Sequence, residues 1–224
     1  MKLMNDKYLC NWDIKASAAI SLQKEMAKNV KAHGEVISPS YIAGIDIAVW
    51  KNKNDAQSAI VILNYPQLEI VEIKKACDKI TFPYIPGLLS FREIPLILKA
   101  WNSLTVSPDV IIVDGHGYAH PRRIGIASHL GLLLDKPTIG CAKSKLCGVY
   151  ETPGAEPGSL TNLIHNKEIV GVALRTKIRV NPVFVSIGHR ISLENAIYWV
   201  RECCAGYRLP QPTRLAHMAA GNNL

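Results

Sequence analysis

The chain has 224 residues, 48% of them hydrophobic, with 15 glycines and 13 prolines. That composition can fill one sizeable core and excludes disordered, collagen-like and low-complexity classes. Lysine and arginine number 26 against 18 acidic residues, a formal net charge of +8, and a field of that sign favours a polyanionic partner over a cationic substrate.

No apolar stretch approaches the roughly 20 residues of a membrane span, and Met1–Asp13 lacks the apolar core of a signal peptide. Six cysteines without a CxxC pair argue against structural zinc and against a disulfide framework. The expectation is a cytoplasmic protein with no membrane partner.

Residues 13–34 predict a helix. Asp13 can cap it, Ala19, Leu22, Met26 and Val30 recur at three- and four-residue steps, and Gly34 stops it. Three β-rich runs follow, Ile42–Val49, Ser58–Leu63 and Leu68–Lys74, separated by the polar turn Lys51–Asp55 and by Asn64–Pro66. Short connections between sequential strands predict an antiparallel meander. Strand and helix then alternate: a helix Leu88–Trp101 entered through Pro83-Tyr-Ile-Pro-Gly87, a buried strand Val110–Val113, a helix Ile124–Leu134 and a strand Thr138–Ala142. Beyond the loop Glu151–Gly158 come strands Val170–Thr176 and Val183–Ile187. Ser192 caps a helix with Leu193, Ala196, Ile197, Val200 and Cys204 on one face, and Thr213–Ala220 is a last helix closed by Gly221. A meander followed by βα units, with no repeat or linker, predicts a single mixed α/β domain over residues 1–224, its sheet flanked by helices.

Asp46 interrupts the apolar run Ile45-Asp-Ile-Ala-Val49. An ionised carboxylate on a central strand is costly unless a cation pairs with it, although a lone Asp reads better as a solvent-facing residue of a one-sided strand. Asp114 weakens that simpler reading. It ends a second apolar strand and runs into Gly115-His-Gly117, with His116, His120, Arg122, Arg123 and His129 close behind. Strand ends of α/β sheets are where sites are built, and glycines let backbone amides approach a ligand. Glu93, early in its helix, is the third candidate; singly it reads as a solvated helix-face residue. Together the three carboxylates form an oxygen donor set for a hard cation, Mg2+ or Mn2+. Such an ion activates water and stabilises charge on phosphoryl oxygens. The residues alone therefore point to a metal-dependent phosphoryl-transfer enzyme.

The same residues carry a resemblance that covers nearly the whole chain. Gly44-Ile-Asp46, Pro83-Tyr-Ile-Pro-Gly-Leu-Leu-Ser-Phe-Arg-Glu-Ile-Pro95, the long irregular stretch Val113–Gly131 with Pro137–Lys143, Val185–His189 and Leu209–His217 resemble, in order, the blocks of the endonuclease V family of deoxyinosine nucleases. The resemblance implies an RNase H-like fold. It implies that Asp46, Glu93 and Asp114 bind Mg2+, with Mn2+ able to substitute, that His217 sits beside the metal, and that Lys143 neutralises the scissile phosphate. Tyr84 would be a wedge filling the gap left by an extruded base. Gly87, Leu89, Gly115, Gly125 and Ile126 would lie at the base pocket, and His120 beside the catalytic site.

Taken singly, each of these residues is an ordinary turn, core or solvated position. The family's reaction cuts the second phosphodiester 3′ to deoxyinosine, leaving a 3′-hydroxyl and a 5′-phosphate. The implied partner is deoxyinosine-containing DNA and the implied state a monomer. The family also includes members that prefer inosine in RNA, so that substrate stays open. A lesion-binding protein that does not cut is a further alternative, and the intact carboxylate set argues against it. Trp50, and Ile187 where a Pro is frequent, are small departures from the family pattern.

Overall fold

The computed structural model describes residues 12–50 and 55–224. Strands β1 (Tyr41–Val49), β2 (Asp55–Asn64) and β3 (Ile70–Lys79) pair antiparallel in sequence, as the meander expectation requires; most of the turn predicted at Lys51–Asp55 lies outside the described residues. On its other side β1 pairs parallel with β4 (Val110–Val113), which pairs parallel with β5 (Thr138–Ala142). Three antiparallel strands complete the sheet: β8 (Val183–His189), β7 (Glu168–Leu174) and β6 (Leu160–His165). The order across all eight is β3-β2-β1-β4-β5-β8-β7-β6.

Period-two alternation gives each central strand two apolar faces, and helices cover both. On one face Ala43, Ile45, Ile60, Ile111 and Val113 pack against α2 (Leu89–Trp101) and α3 (Ile126–Leu134), through Ile94, Ile97, Trp101 and Leu130. On the other, Ile42, Val110, Ile112 and Val185 meet Ala196, Trp199 and Val200 of α4 (Leu193–Glu202). Ala59, Val61 and Leu63 on that same side meet Leu215, Ala216 and Ala219 of α5 (Gln211–Ala220). α5 lies unusually close to β1 because residue 44 is glycine; a Cβ there would overlap the Pro212 carbonyl.

Several boundaries depart from the sequence expectations. The first helix, α1 (Ala16–Ala27), has Lys15 rather than Asp13 at its N-cap and ends seven residues before Gly34. Tertiary partners win over helix continuation there. Lys31 N–H donates to His189 Nδ1, Arg190 N–H to the Lys31 carbonyl, and Trp199 Nε1 to the Val36 carbonyl. Gly34 is therefore a close-approach residue and not a helix stop: its φ is +118°, and a Cβ would sit 2.7 Å from the Arg190 carbonyl oxygen. The α4 face closes with buried Cys203 instead of Cys204. Ser192 does cap α4, its side chain accepting from Asn195 N–H, a bond worth about 1 kcal/mol.

β3 extends to Lys79 through Lys74, Lys75 and Asp78, charges typical of an edge strand. β6 has no counterpart among the expected strands; it forms a hairpin with β7 through Asn166 and Lys167, both at positive φ, where the turn lacks the glycine that usually announces it. The five described cysteines are free thiols. Among the described residues no helix is long and apolar enough to cross a membrane.

Candidate active site

The parallel register of β1 and β4 builds the centre. Ile45 pairs with Val113, and Asp114 N–H donates to the Ile45 carbonyl, so Asp46, inside β1, and Asp114, just past the end of β4, lie on the same face. His217 projects from α5, with Nδ1 2.6 Å from Asp46 Oδ2. Lys143 follows β5, and its Nζ lies 2.5 Å from Asp114 Oδ2, 4.0 Å from Asp46 Oδ2 and 3.3 Å from His217 Nδ1. Arg208 braces Lys143 from behind, Nη2 donating to the carbonyls of Lys143 and Pro182 and Nε to that of Asn181.

Glu93 comes from α2, in the opposite helical layer. Burial first, then Asp46, raises its carboxyl to about 8, with Asp114 adding to the rise and Arg92 opposing it. Burial and Asp46 also raise Asp114, against the pull of Lys143. Asp46, Asp114 and His217 each offer one ligand atom within 4.8 Å of the others. Two carboxylate oxygens and an imidazole nitrogen, with a raised carboxyl beyond them, suit a divalent cation. Glu93 faces this group without contributing an atom to it.

Beside the carboxylates lies a cavity of about 320 Å³. The five residues expected at the base pocket, Gly87, Leu89, Gly115, Gly125 and Ile126, line it together with Tyr84, the expected wedge, and with His120, Asp114 and Lys143. The loop before α2 forms one wall, and Tyr84 on it is 71% exposed. His120 is buried, and burial, then the Arg122 charge, lowers its pKa to about 4. Gln23 of α1, and Ser144 and Leu146 after β5, also line the cavity. The sequence reading missed all three. A lone Gln in an amphipathic helix carries no signal, and Ser144 and Leu146 stand just past the matched block that ends at Lys143.

The sequence matches the Endonuclease V family over residues 24–218. The chain belongs to the endonuclease V family. Like other members of that family it is a nuclease that hydrolyses phosphodiester bonds. It is 51% identical over 214 residues to the endonuclease V of Dehalococcoides mccartyi, covering 96% of each chain. The crystal structure of the Streptomyces avermitilis endonuclease V superposes with a TM-score of 0.90 at 39% identity, over 95% of this chain and 94% of that one. An endonuclease V from Ciona intestinalis, solved with DNA containing an inosine followed by a ribo-adenosine, superposes with a TM-score of 0.83 at 28% identity, over 93% of this chain and 98% of that one. The mixed α/β sheet with its leading meander is thus the endonuclease V arrangement.

Proposed function

We propose that this endonuclease V is a metal-dependent enzyme that recognises deoxyinosine in DNA and hydrolyses the second phosphodiester on its 3′ side, leaving a 3′-hydroxyl and a 5′-phosphate. One observation carries the reading: the walls of a single cavity include both the Tyr84 loop and the Asp114–Lys143 pair. A base held in that cavity brings its strand to the carboxylates.

Deamination of adenine replaces an exocyclic amine donor with a carbonyl acceptor, and a pocket of backbone amides and carbonyls can read the change. An inosine pair is weak and costs less to open. Tyr84 enters the stack in place of the extruded base. Asp46, Glu93 and Asp114, with His217 beside them, would hold Mg2+, Mn2+ serving as a substitute. When bound, the ion lowers the pKa of a water and offsets charge developing on the phosphoryl oxygens. Lys143 turns from Asp114 to the scissile phosphate. The attacking water gives up a proton as its oxygen joins phosphorus, the bond to the 3′ oxygen breaks, and that oxygen takes up a proton and leaves as the hydroxyl.

The free thiols fit a reducing compartment, and we read the protein as a cytoplasmic monomer of one domain. A second reading, inosine in RNA, is favoured by the ribo-adenosine beside inosine in the Ciona intestinalis complex. The test is cleavage of matched deoxyinosine duplex, inosine RNA and adenine controls with Mg2+. A single cut one nucleotide beyond the bond 3′ to deoxyinosine supports the proposal. Cutting confined to the RNA supports the second reading, and equal cutting of the adenine controls overturns both.

A further inference from the structure

The Gly87 carbonyl accepts from three side chains at once. Arg122 Nη2 donates at 2.7 Å, Gln23 Nε2 at 3.0 Å and His120 Nε2 at 3.0 Å. The donors also bind one another: Arg122 Nε donates to Gln23 Oε1 at 2.5 Å, and the Arg122 backbone N–H donates to His120 Nδ1 at 3.1 Å. That last bond fixes the tautomer. Nδ1 accepts, so Nε2 carries the proton and is the donor to Gly87. Gly87 has φ +81°, and a Cβ there would come 2.8 Å from Arg122 Nη2.

A carbonyl oxygen has two lone pairs, and a surface turn needs one of them satisfied at most. Three converging side-chain donors exceed what closing this turn requires. They come from distant parts of the chain: Gln23, 1% exposed, from α1, and His120 and Arg122 from the stretch after β4. Phe82, Ile85 and Leu88 anchor the loop's ends in an apolar cluster with Phe91 and α1, but few polar contacts fix its shape. Within it, Leu88 N–H donates to the Ile85 carbonyl, and at its start Arg92 Nη1 donates to the Phe82 carbonyl. Only a guanidinium can reach Gln23 with Nε and Gly87 with Nη2 in one plane.

We propose that Gln23 and Arg122, with His120, are positioning residues: they clamp the Gly87 carbonyl and so hold the Tyr84 loop in the shape that enters a duplex. This rests on the lesion reading above. An unclamped loop must be ordered each time it meets the stack, and that loss of freedom weakens binding. Single-stranded inosine has little stack to open and feels it less.

The test uses the full chain as wild type, Arg122→Met, Tyr84→Ala and the double variant, with Arg122→Lys as a charge-preserving second choice should Arg122→Met fail to fold. Hydrogen exchange of residues 83–88, measured without substrate, should speed up roughly 10-fold in Arg122→Met while the β4 amides stay protected. Cleavage of duplex deoxyinosine should fall about 10-fold, single-strand cleavage should stay within about 3-fold, and Arg122→Met should add almost nothing in the Tyr84→Ala background. Unchanged exchange in the loop, equal losses on both substrates, or multiplying effects of the two substitutions would each overturn the proposal. Absence of any deoxyinosine preference in the wild type would instead sink the lesion reading, and the exchange result alone would then decide whether the clamp holds the loop.

Discussion

His217 and Asp46 touch across 171 residues of chain, Nδ1 to Oδ2 at 2.6 Å, because Gly44 lets α5 lie directly on β1. The contact depends on the missing side chain two residues before Asp46. Gly44→Ala would drive a methyl group into the Pro212 carbonyl, and overpacking of that kind costs typically 1–3 kcal/mol. The expected result is a melting temperature several degrees lower and cleavage reduced even at temperatures where the variant is fully folded. Full activity in a folded Gly44→Ala protein would mean that the α5–β1 spacing does not set the centre.

Asp114→Asn keeps the shape of the strand end and removes one negative charge from the carboxylate set proposed to hold the metal. Cleavage should fall on the order of 10³-fold if the metal's stabilisation of the transition state supplies several kcal/mol. Binding to deoxyinosine DNA without metal should survive or strengthen, since a carboxylate beside a phosphate repels it. Near-normal cutting in Mg2+ would remove Asp114 from the catalytic set.

Tyr84 is the aromatic side chain of the loop Pro83–Pro86 and stands out from the surface. Base–aromatic stacking is worth roughly 1–3 kcal/mol by alanine substitution, so Tyr84→Ala should weaken lesion binding about 5- to 150-fold. The loss should be larger on duplex than on single-stranded inosine, with the melting temperature unchanged. Equal losses on both, with a lower melting temperature, would make Tyr84 a packing residue.

His129 lies fully buried between the rings of Trp12 and Phe91, with Nδ1 3.0 Å from Ser90 Oγ. Burial lowers its pKa from 6.5 to about 3. Above pH 6.5 both folded and unfolded chains hold it neutral, so it adds no pH dependence. Between 6.5 and about 3 the unfolded chain takes up a proton that the folded chain refuses, and stability falls as the pH drops. His129→Gln removes this contribution. Urea unfolding between pH 6 and 4 should then show a slope shallower by up to about 1.4 kcal/mol per pH unit. An unchanged slope would show that other groups carry the acid limb.

Much of this was visible in the residues. Asp46 stood out as a charge inside an apolar strand and Asp114 as one at the end of another, and parallel pairing of those strands brings them together. The base-pocket residues lie in two short blocks, one before α2 and one after β4, which fold onto a single cavity. Glu93 could be read from the residues only as a third candidate carboxylate, singly a solvated helix-face residue, since it reaches the centre from the other helical layer and no local pattern records that. Gln23, Arg208 and Ser144 act through contacts between distant segments and leave no periodicity to read. Gly34 misled because a glycine after a helical run looks like a stop, whereas its role is set by the Arg190 backbone. β6 was lost because Asn166 and Lys167 make a left-handed turn without glycine.

The placement of His217 on α5 also sets an order of events. Asp46, Glu93, Asp114 and Lys143 all precede it in the chain, so they leave the ribosome first. The helix that brings the imidazole to Asp46 is made after every strand of the sheet and docks onto β1 only when that sheet exists. During synthesis, surrounded by ribosomal and messenger RNA, the growing chain therefore carries its carboxylates without the group that completes them. On the proposed reading, cutting competence arrives with α5, and a ribosome-stalled chain ending before Gln211 should cleave no inosine-containing strand.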